Sequence, residues 1–483
     1  MKLFFVSLGC DKNLVDSEKM LALLAEQNIE ITEEPKEAEI IIVNTCGFIH
    51  DAKEESIETI LEMAEYKKTG KCISLIVTGC LAQRYAEEMQ KEIEEVDVVV
   101  GTAAYDRIFE AVKESLEGRR EPVMESLDYL PKHLTRRLGS RTGSYSSYLK
   151  IAEGCNKRCT YCIIPYLRGN YRSVPMEELL EEASMLAEQG TKELIVIAQE
   201  TTVYGVDIYG EKRLPQLLEK LCEIKGIQWI RVMYCYPEEI TDELLEVMAR
   251  EPKICHYLDL PIQHCNNEIL KKMGRKTNKK DLLATLEKIR RYMPDVFLRT
   301  SLISGFPGET KQMHDECVEF VKEVQFDRLG VFPYSAEEGT PAASYDGQVP
   351  EETKRAYADE IMEASQYVIF EKNEKMVGRT FRVMVDGFLP EENIYVGRTY
   401  GDAPEVDGCI FFECVSELVS GTIVPVQITD AKGYDLILTS HYTPEDLKVA
   451  QTKIDYLENL KQIAGRCGNA DAFKAEVRKA YPG

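Results

Sequence analysis

Short apolar runs alternate with helical stretches along the first part of the chain. The runs are KLFFVSLG, AEIIIVNT, SLIVTG and VDVVVG. Between and after them lie NLVDSEKMLALLAEQ, KEESIETILEMAEYKK, QRYAEEMQKEI and AAYDRIFEAVKESLEG, whose apolar residues recur every three or four positions. Apolar runs of that length read as strands and the longer periodic stretches as helices. Strict strand–helix alternation predicts a parallel sheet covered by helices, over residues 1–118. The opening MKLFFVSLGC invites a lipid-anchor reading at Cys10. Its apolar stretch is too short for a leader core, and Asp11 and Lys12 follow at once, so Leu3 to Val6 is expected to be a buried strand.

Residues 119–140 break the alternation, and LPKHLTRRLGSRTGSYSS reads as a solvated linker with Lys132, Arg136, Arg137 and Arg141 exposed. The alternation resumes over 141–371. Six strand candidates, YLKIAEG, ELIVIAQ, QWIRVMYCY, YLDLPI, VFLRTSLISG and RLGVFPYS, are separated by amphipathic helices such as MEELLEEASMLAEQG, with Gly190 as its stop signal. Six consecutive units predict a partial parallel (β/α)6 barrel, with its chemistry at the carboxyl ends of the strands. Over 374–442 the pattern changes to five short strands, FRVMVDG, NIYVGRTY, CIFFECV, TIVPVQITD and YDLILTS, which predict a small β-barrel. Residues 443–483 read as a helical extension opened by Thr443 and Pro444. The fold class is therefore α/β with a small C-terminal β-barrel.

Composition narrows the function classes. Of 483 residues, 44% are apolar and 29% charged, which excludes a disordered chain. Lys and Arg number 59 against 83 Asp and Glu, a net charge of −24, so the surface as a whole does not attract phosphate backbones. The apolar runs fall short of a membrane span, and a cytoplasmic location is expected. Fifteen Cys, an odd number, then point to metal or catalysis rather than disulfides.

Two groups of Cys stand out. Cys155, Cys159 and Cys162 sit in CNKRCTYC, directly after the first barrel strand. Three thiolates hold three irons of a cubane cluster, and the missing fourth ligand leaves an iron open to substrate. A zinc site borrowing a distant ligand is the alternative. Cys10, Cys46 and Cys80 end VSLGC, VNTC and VTGC, each just before a helix. Three thiols at equivalent strand ends converge outside the carboxyl edge of a parallel sheet. The remaining nine, among them Cys72, Cys222 and Cys317, read as packing thiols.

CNKRCTYC resembles the CxxxCxxC signature of radical S-adenosylmethionine enzymes. SLGCDKNLVDSE, NTCGFIHDAKEES, TGCLAQRY and GRTYGDAPEVDG resemble, in order, the methylthiotransferase family of that superfamily. The resemblance covers residues 1 to about 442. It implies two 4Fe-4S clusters as metal cofactors: an auxiliary cluster on Cys10, Cys46 and Cys80, and a catalytic, radical-generating cluster on Cys155, Cys159 and Cys162. It implies that S-adenosylmethionine binds the open iron and is cleaved to a 5′-deoxyadenosyl radical, that the auxiliary cluster delivers sulfur, and that the small β-barrel is a TRAM domain. It further implies a cofactor pocket built from Gln199, Glu200, Gln263, Arg299 and Gly305. Gln199 and Glu200 would bond ribose hydroxyls, Arg299 would pair a carboxylate, and Gly305 would let backbone approach the ligand. His264, in LPIQH, reads as a core imidazole.

Within the family the motifs most resemble the branch that modifies an aspartate of protein twelve of the small ribosomal subunit, rather than the branch that modifies an adenosine of transfer RNA. Asp11 departs from that branch, where proline is more frequent, and so does the tail after residue 442. Charge points the same way. Residues 380–442 carry ten acids against three bases, a net −7, which suits a basic ribosomal protein and repels transfer RNA. Reversing Asp402, Glu405 and Asp407 is accordingly expected to weaken substrate docking. Flavodoxin or ferredoxin is the expected electron donor. A cluster-holding electron-transfer or scaffold protein is the alternative of another class, and it would need no S-adenosylmethionine pocket.

Overall fold

The protein is described from a computed structural model covering residues 1–131, 137–138, 145–414, 416–433 and 435–437. Lys132, Arg136, Arg141 and the extension after residue 442 lie outside the described residues.

Strands β1 (Lys2–Ser7), β2 (Glu30–Ile31), β3 (Ile40–Thr45), β4 (Ser74–Gly79) and β5 (Val98–Val100) form one parallel sheet in the order β2-β1-β3-β4-β5. Every residue of β3 and β4 is buried, as strands covered on both faces require. Helix α1 (Asp11–Ala25) follows β1. The helix expected over 83–93 is broken at Tyr85, whose φ of −133° and ψ of 39° leave the helical region, giving Cys80–Arg84 and Ala86–Glu92.

The second sheet is also parallel. It runs β6 (Ser146–Lys150), β9 (Glu193–Ile197), β10 (Trp229–Val232), β11 (Ile254–Asp259), β12 (Phe297–Ser304) and β13 (Arg328–Pro333) in sequential order. A ribbon of β7 (Ala152–Glu153) and β8 (Arg172–Ser173) brackets the CNKRCTYC loop. Alternation along these strands sorts the core in two. Leu149, Leu194, Val196, Ile230, Leu258 and Leu298 pack under the helices. Tyr148, Ile195, Ile197, Trp229, Tyr257 and Phe297 face the other way.

That inner face is covered by the C-terminal domain. Strands β14 (Thr380–Leu389), β15 (Ile394–Thr399), β16 (Ile410–Phe412), β17 (Ile423–Gln427), β18 (Asp430–Lys432) and β19 (Asp435–Ile437) form a largely antiparallel sheet, one short strand more than expected. Phe381, Val383, Val385, Ile410, Phe412 and Val426 join the same core as Trp229 and Phe297, so the two domains share one interior. A Cβ on Gly401 would stand 2.5 Å from the Phe297 ring. Gly401→Ala therefore overpacks the seam and is expected to cost about 1–3 kcal/mol in denaturant unfolding. Among the described residues no helix is long and apolar enough to cross a membrane.

Candidate active site at the mouth of the parallel barrel

Cys10, Cys46 and Cys80 leave the carboxyl ends of β1, β3 and β4, three adjacent strands. Gly9 and Gly79 precede two of them with φ of +88° and +94°, a conformation that favours glycine. A Cβ on Gly79 would meet Thr45 O at 2.4 Å, and one on Gly9 would meet the Cys46 Cβ at 2.9 Å, so the strand ends approach closely. Asn13 ties them together. Its Nδ2 donates to Leu8 O at 3.0 Å and Thr45 O at 2.9 Å, and its Oδ1 lies 4.0 Å from Cys80 Sγ. Burial pushes the Cys46 thiol up to about 11, and the Cys80 and Cys10 sulfurs push it the same way. Burial raises Cys80 too, while Arg168 opposes the rise.

Cys155, Cys159 and Cys162 occupy the loop between β7 and β8. Arg158 within it takes a φ of +49°. Burial raises Cys155 to about 11 and Cys162 to about 12, each also raised by its neighbouring thiols. Tyr236 Oη lies 3.3 Å from Cys159 Sγ. A cavity of about 340 Å³ beside this loop is lined by Asn156, Lys157, Tyr171 and Glu200, among others. Gln199 and Glu200 lie just beyond the carboxyl end of β9. Gln199 Nε2 donates to Glu153 Oε1 at 2.7 Å, while its Oε1 is buried without a hydrogen-bond partner. Glu200 Oε2 is likewise orphaned, 3.5 Å from Lys157 Nζ, and burial lifts the carboxyl to about 7. Gln263 has a φ of +71°, and its backbone bridges to β12 through Ser301 O and Ile303 N.

The two triads are joined through charge buried between domains. Arg168, six residues after Cys162, donates to Asn13 Oδ1 and to Asp16 Oδ2 at 2.8 Å and Glu153 Oε2 at 3.1 Å. Lys150 pairs with the same two carboxylates. A second group holds Arg137 against Glu18 and Glu182, with Lys19 on Glu182 at 3.2 Å. Each group has two cations and two anions, which is how buried charge is tolerated. α1 thus buries its polar residues as well as its apolar ones. Asp11 accepts from Tyr234 Oη at 2.8 Å, and Lys12 Nζ stands over the Tyr234 ring. The residue that departs from the expected proline is therefore a contact between the first domain and the barrel.

Several expectations need correcting. Arg137 is not a solvated linker base but a buried ion-pair partner. Arg299 pairs with Asp259 at 2.9 Å and Asp407 at 3.5 Å. A Cβ on Gly305 would stand 2.2 Å from Lys354 Cγ. Asp402 and Asp407 are not docking charges. Asp402 pairs with Arg328, and Asp407 accepts from Tyr257 Oη at 2.8 Å, so their reversal would break the domain seam. His264 is buried, as read from the sequence.

The donor sets suit iron–sulfur cubanes. One triad offers three thiols at the edge of a parallel sheet and the other three thiols in one loop, and iron supplies the positive charge that buried thiolates lack. Among the described residues, the ligand groups converging within 4.8 Å include none of the six cysteines. The orphaned oxygens of Gln199 and Glu200 are acceptors without donors beside the barrel triad, as a hydroxyl-bearing ligand requires.

Three family models match in the same order as the domains. They are the uncharacterized protein family UPF0004 over residues 2–101, the radical SAM superfamily over 149–321 and the TRAM domain over 377–439. The fold resembles the radical S-adenosylmethionine methyltransferase TsrM of Kitasatospora setae, with a TM-score of 0.50 at 14% identity over 71% of this chain and 74% of that one. The ribosomal protein uS12 methylthiotransferase RimO of Lachnoclostridium phytofermentans is 59% identical over 91% of this chain and its own full length. That of Clostridioides difficile is 49% identical over 90% of this chain and 98% of its own. The chain belongs to the RimO family of radical S-adenosylmethionine methylthiotransferases.

Proposed function

We propose that this chain adds a methylthio group to the β-carbon of an aspartate side chain of ribosomal protein uS12. The observation that carries the proposal is the pair of cysteine triads on two domains, linked through Asn13 and Arg168 at one barrel mouth. Cys155, Cys159 and Cys162 hold the catalytic cluster, and Cys10, Cys46 and Cys80 hold the auxiliary one. When bound, the clusters and S-adenosylmethionine supply radical generation, sulfur and methyl. The protein's part is to hold and orient them. Gln199 Oε1 and Glu200 Oε2 accept from hydroxyls of the cofactor. Glu200 is half ionised near neutral pH, so its acceptor strength rises as pH rises through about 7. Tyr236 Oη hydrogen-bonds a ligand sulfur. Reduction needs an external one-electron donor, for which flavodoxin or ferredoxin is the proposed class, and the reaction is proposed to run in the cytoplasm.

Surface charge favours the protein substrate over transfer RNA. With Asp386, Asp402 and Asp407 neutralised internally, the exposed charges of the TRAM region include Glu391, Glu392, Glu405, Glu417 and Asp430 against Lys432. That face attracts a basic ribosomal protein and repels phosphate. Reversing Glu391, Glu392, Glu405 and Glu417 to Lys is expected to weaken uS12 binding roughly tenfold at low salt and less at high salt. Titration of labelled uS12 at two ionic strengths checks this. The deciding assay offers uS12 and transfer RNA together to the anaerobic enzyme, with mass spectrometry on both. Methylthioadenosine in the RNA beside unmodified uS12 would overturn the assignment.

A further inference from the structure

Two of the cysteines outside the triads meet each other. Cys265, in the loop after β11, and Cys317, in the helix Lys311–Val324, are buried with their sulfurs 3.3 Å apart. His264 and Glu309 complete the cluster. The backbone N–H of Asn266 donates to His264 Nδ1 at 2.9 Å, which places the imidazole proton on Nε2. That Nε2 lies 3.5 Å from Cys317 Sγ and 3.3 Å from Glu309 Oε1. The other oxygen of Glu309 accepts from the backbone N–H groups of Gly305 and Phe306. The cluster therefore sits directly beneath two loops at the carboxyl ends of β11 and β12.

His264, Cys265 and Cys317 converge closely enough to share an ion. The tautomer argues against one. A metal-bound histidine donates its second ring N–H outward, whereas here Nδ1 accepts and Nε2 carries the proton, leaving no lone pair for an ion among the sulfurs. What remains is two thiols in contact, with both ring nitrogens of His264 at 3.5 Å from the Cys317 sulfur. The Cys265 S–H and the imidazole N–H both favour the thiolate of Cys317, whose pKa is pushed down, while that of Cys265 is pushed up. One nucleophilic sulfur beside one protonated partner is the arrangement of a reactive dithiol.

We propose that Cys265 and Cys317 are a redox-active pair, oxidised by peroxide to a disulfide that cross-links the loop after β11 to the helix Lys311–Val324. The Cys317 thiolate attacks one peroxide oxygen, the O–O bond breaks and hydroxide leaves, giving a sulfenic acid. The Cys265 sulfur then attacks the Cys317 sulfur. Its proton and the sulfenic hydroxyl leave as water. The hydroxide takes up the proton that Cys317 lost on ionising, so two thiols are oxidised by two electrons and one hydrogen peroxide is reduced to two waters. Peroxide is small and neutral, which suits so buried a pair. Closing the sulfurs from 3.3 Å to the bonded distance of about 2.05 Å draws Gln263 and His264 toward the helix and disturbs the mouth where the cofactor is proposed to bind.

The holoenzyme, treated anaerobically with graded hydrogen peroxide, acid-quenched and alkylated, should yield a linked peptide pair containing Cys265 and Cys317. A dithiol reductant should reverse it, and Cys317→Ser should abolish it. S-adenosylmethionine affinity, measured by equilibrium dialysis on protein whose iron content is unchanged, should fall at least about fivefold in the cross-linked form and recover on reduction. This second readout rests on the proposed cofactor site, whereas the linked peptide does not. Full alkylation of both thiols at peroxide excess would overturn the pair. So would one tightly bound zinc per chain that Cys265→Ser removes. A linked peptide with unchanged affinity would overturn its effect on the mouth.

Discussion

Replacing Cys155, Cys159 and Cys162 with alanine is expected to leave a folded protein that keeps about four of its roughly eight irons and no longer cleaves S-adenosylmethionine. The separation follows from the fold. The barrel triad lies in the loop between β7 and β8, whereas Cys10, Cys46 and Cys80 leave strand ends of a different sheet. Asn13 and the closely approaching strand ends hold that first sheet together through contacts that involve none of the three barrel cysteines. The converse variant, with Cys10, Cys46 and Cys80 replaced, should retain cleavage and lose sulfur insertion. Iron analysis, the visible spectrum and chromatography of 5′-deoxyadenosine read both. Cleavage surviving in the first variant would remove the barrel triad from the radical chemistry. Collapse of the fold in the second would make the strand-end thiols structural.

The places of the six cysteines in the fold were legible in the sequence because their signals are local. A strand end followed by a helix fixes where Cys10, Cys46 and Cys80 point, and the CNKRCTYC spacing fixes the barrel loop. The sheets were legible for the same reason, since two-sided burial of β3 and β4 leaves continuous apolar runs. What stayed hidden depends on partners distant in sequence. Nothing local marks the polar residues of α1 as buried, yet Glu18 meets Arg137 and Lys19 meets Glu182, 163 positions away. Asp407 looked like a surface charge because Tyr257 and Arg299 lie in another domain. The closeness of Lys354 to Gly305 stayed hidden because the helix carrying Lys354 lies outside the glycine's motif. The Cys265–Cys317 pair, separated by 52 positions, has no local spacing to mark it.

Arg168→Met is expected to destabilise the protein by about 3–5 kcal/mol, because removing one partner of a buried ionic group leaves uncompensated charge. Arg168 is buried and meets Asp16, Glu153 and the Asn13 amide oxygen. With it gone, Asp16 and Glu153 must share Lys150, and the group of two cations and two anions becomes net negative. The loss falls on the contact between α1 and the barrel, so domain docking should loosen before either sheet melts. Limited proteolysis should then cut between the domains at protease levels that leave the wild type intact. Methionine keeps most of the volume, so the effect reports charge rather than a cavity. Adding Asp16→Asn to Arg168→Met restores the balance and should recover part of the loss, and Asp16→Asn alone should cost more than it does in that background. Additive losses in urea unfolding would mean the four charges do not act as one group. A proteolysis pattern unchanged from wild type would mean that the seam is held by the apolar contacts of Leu14 and Val15 of α1 instead.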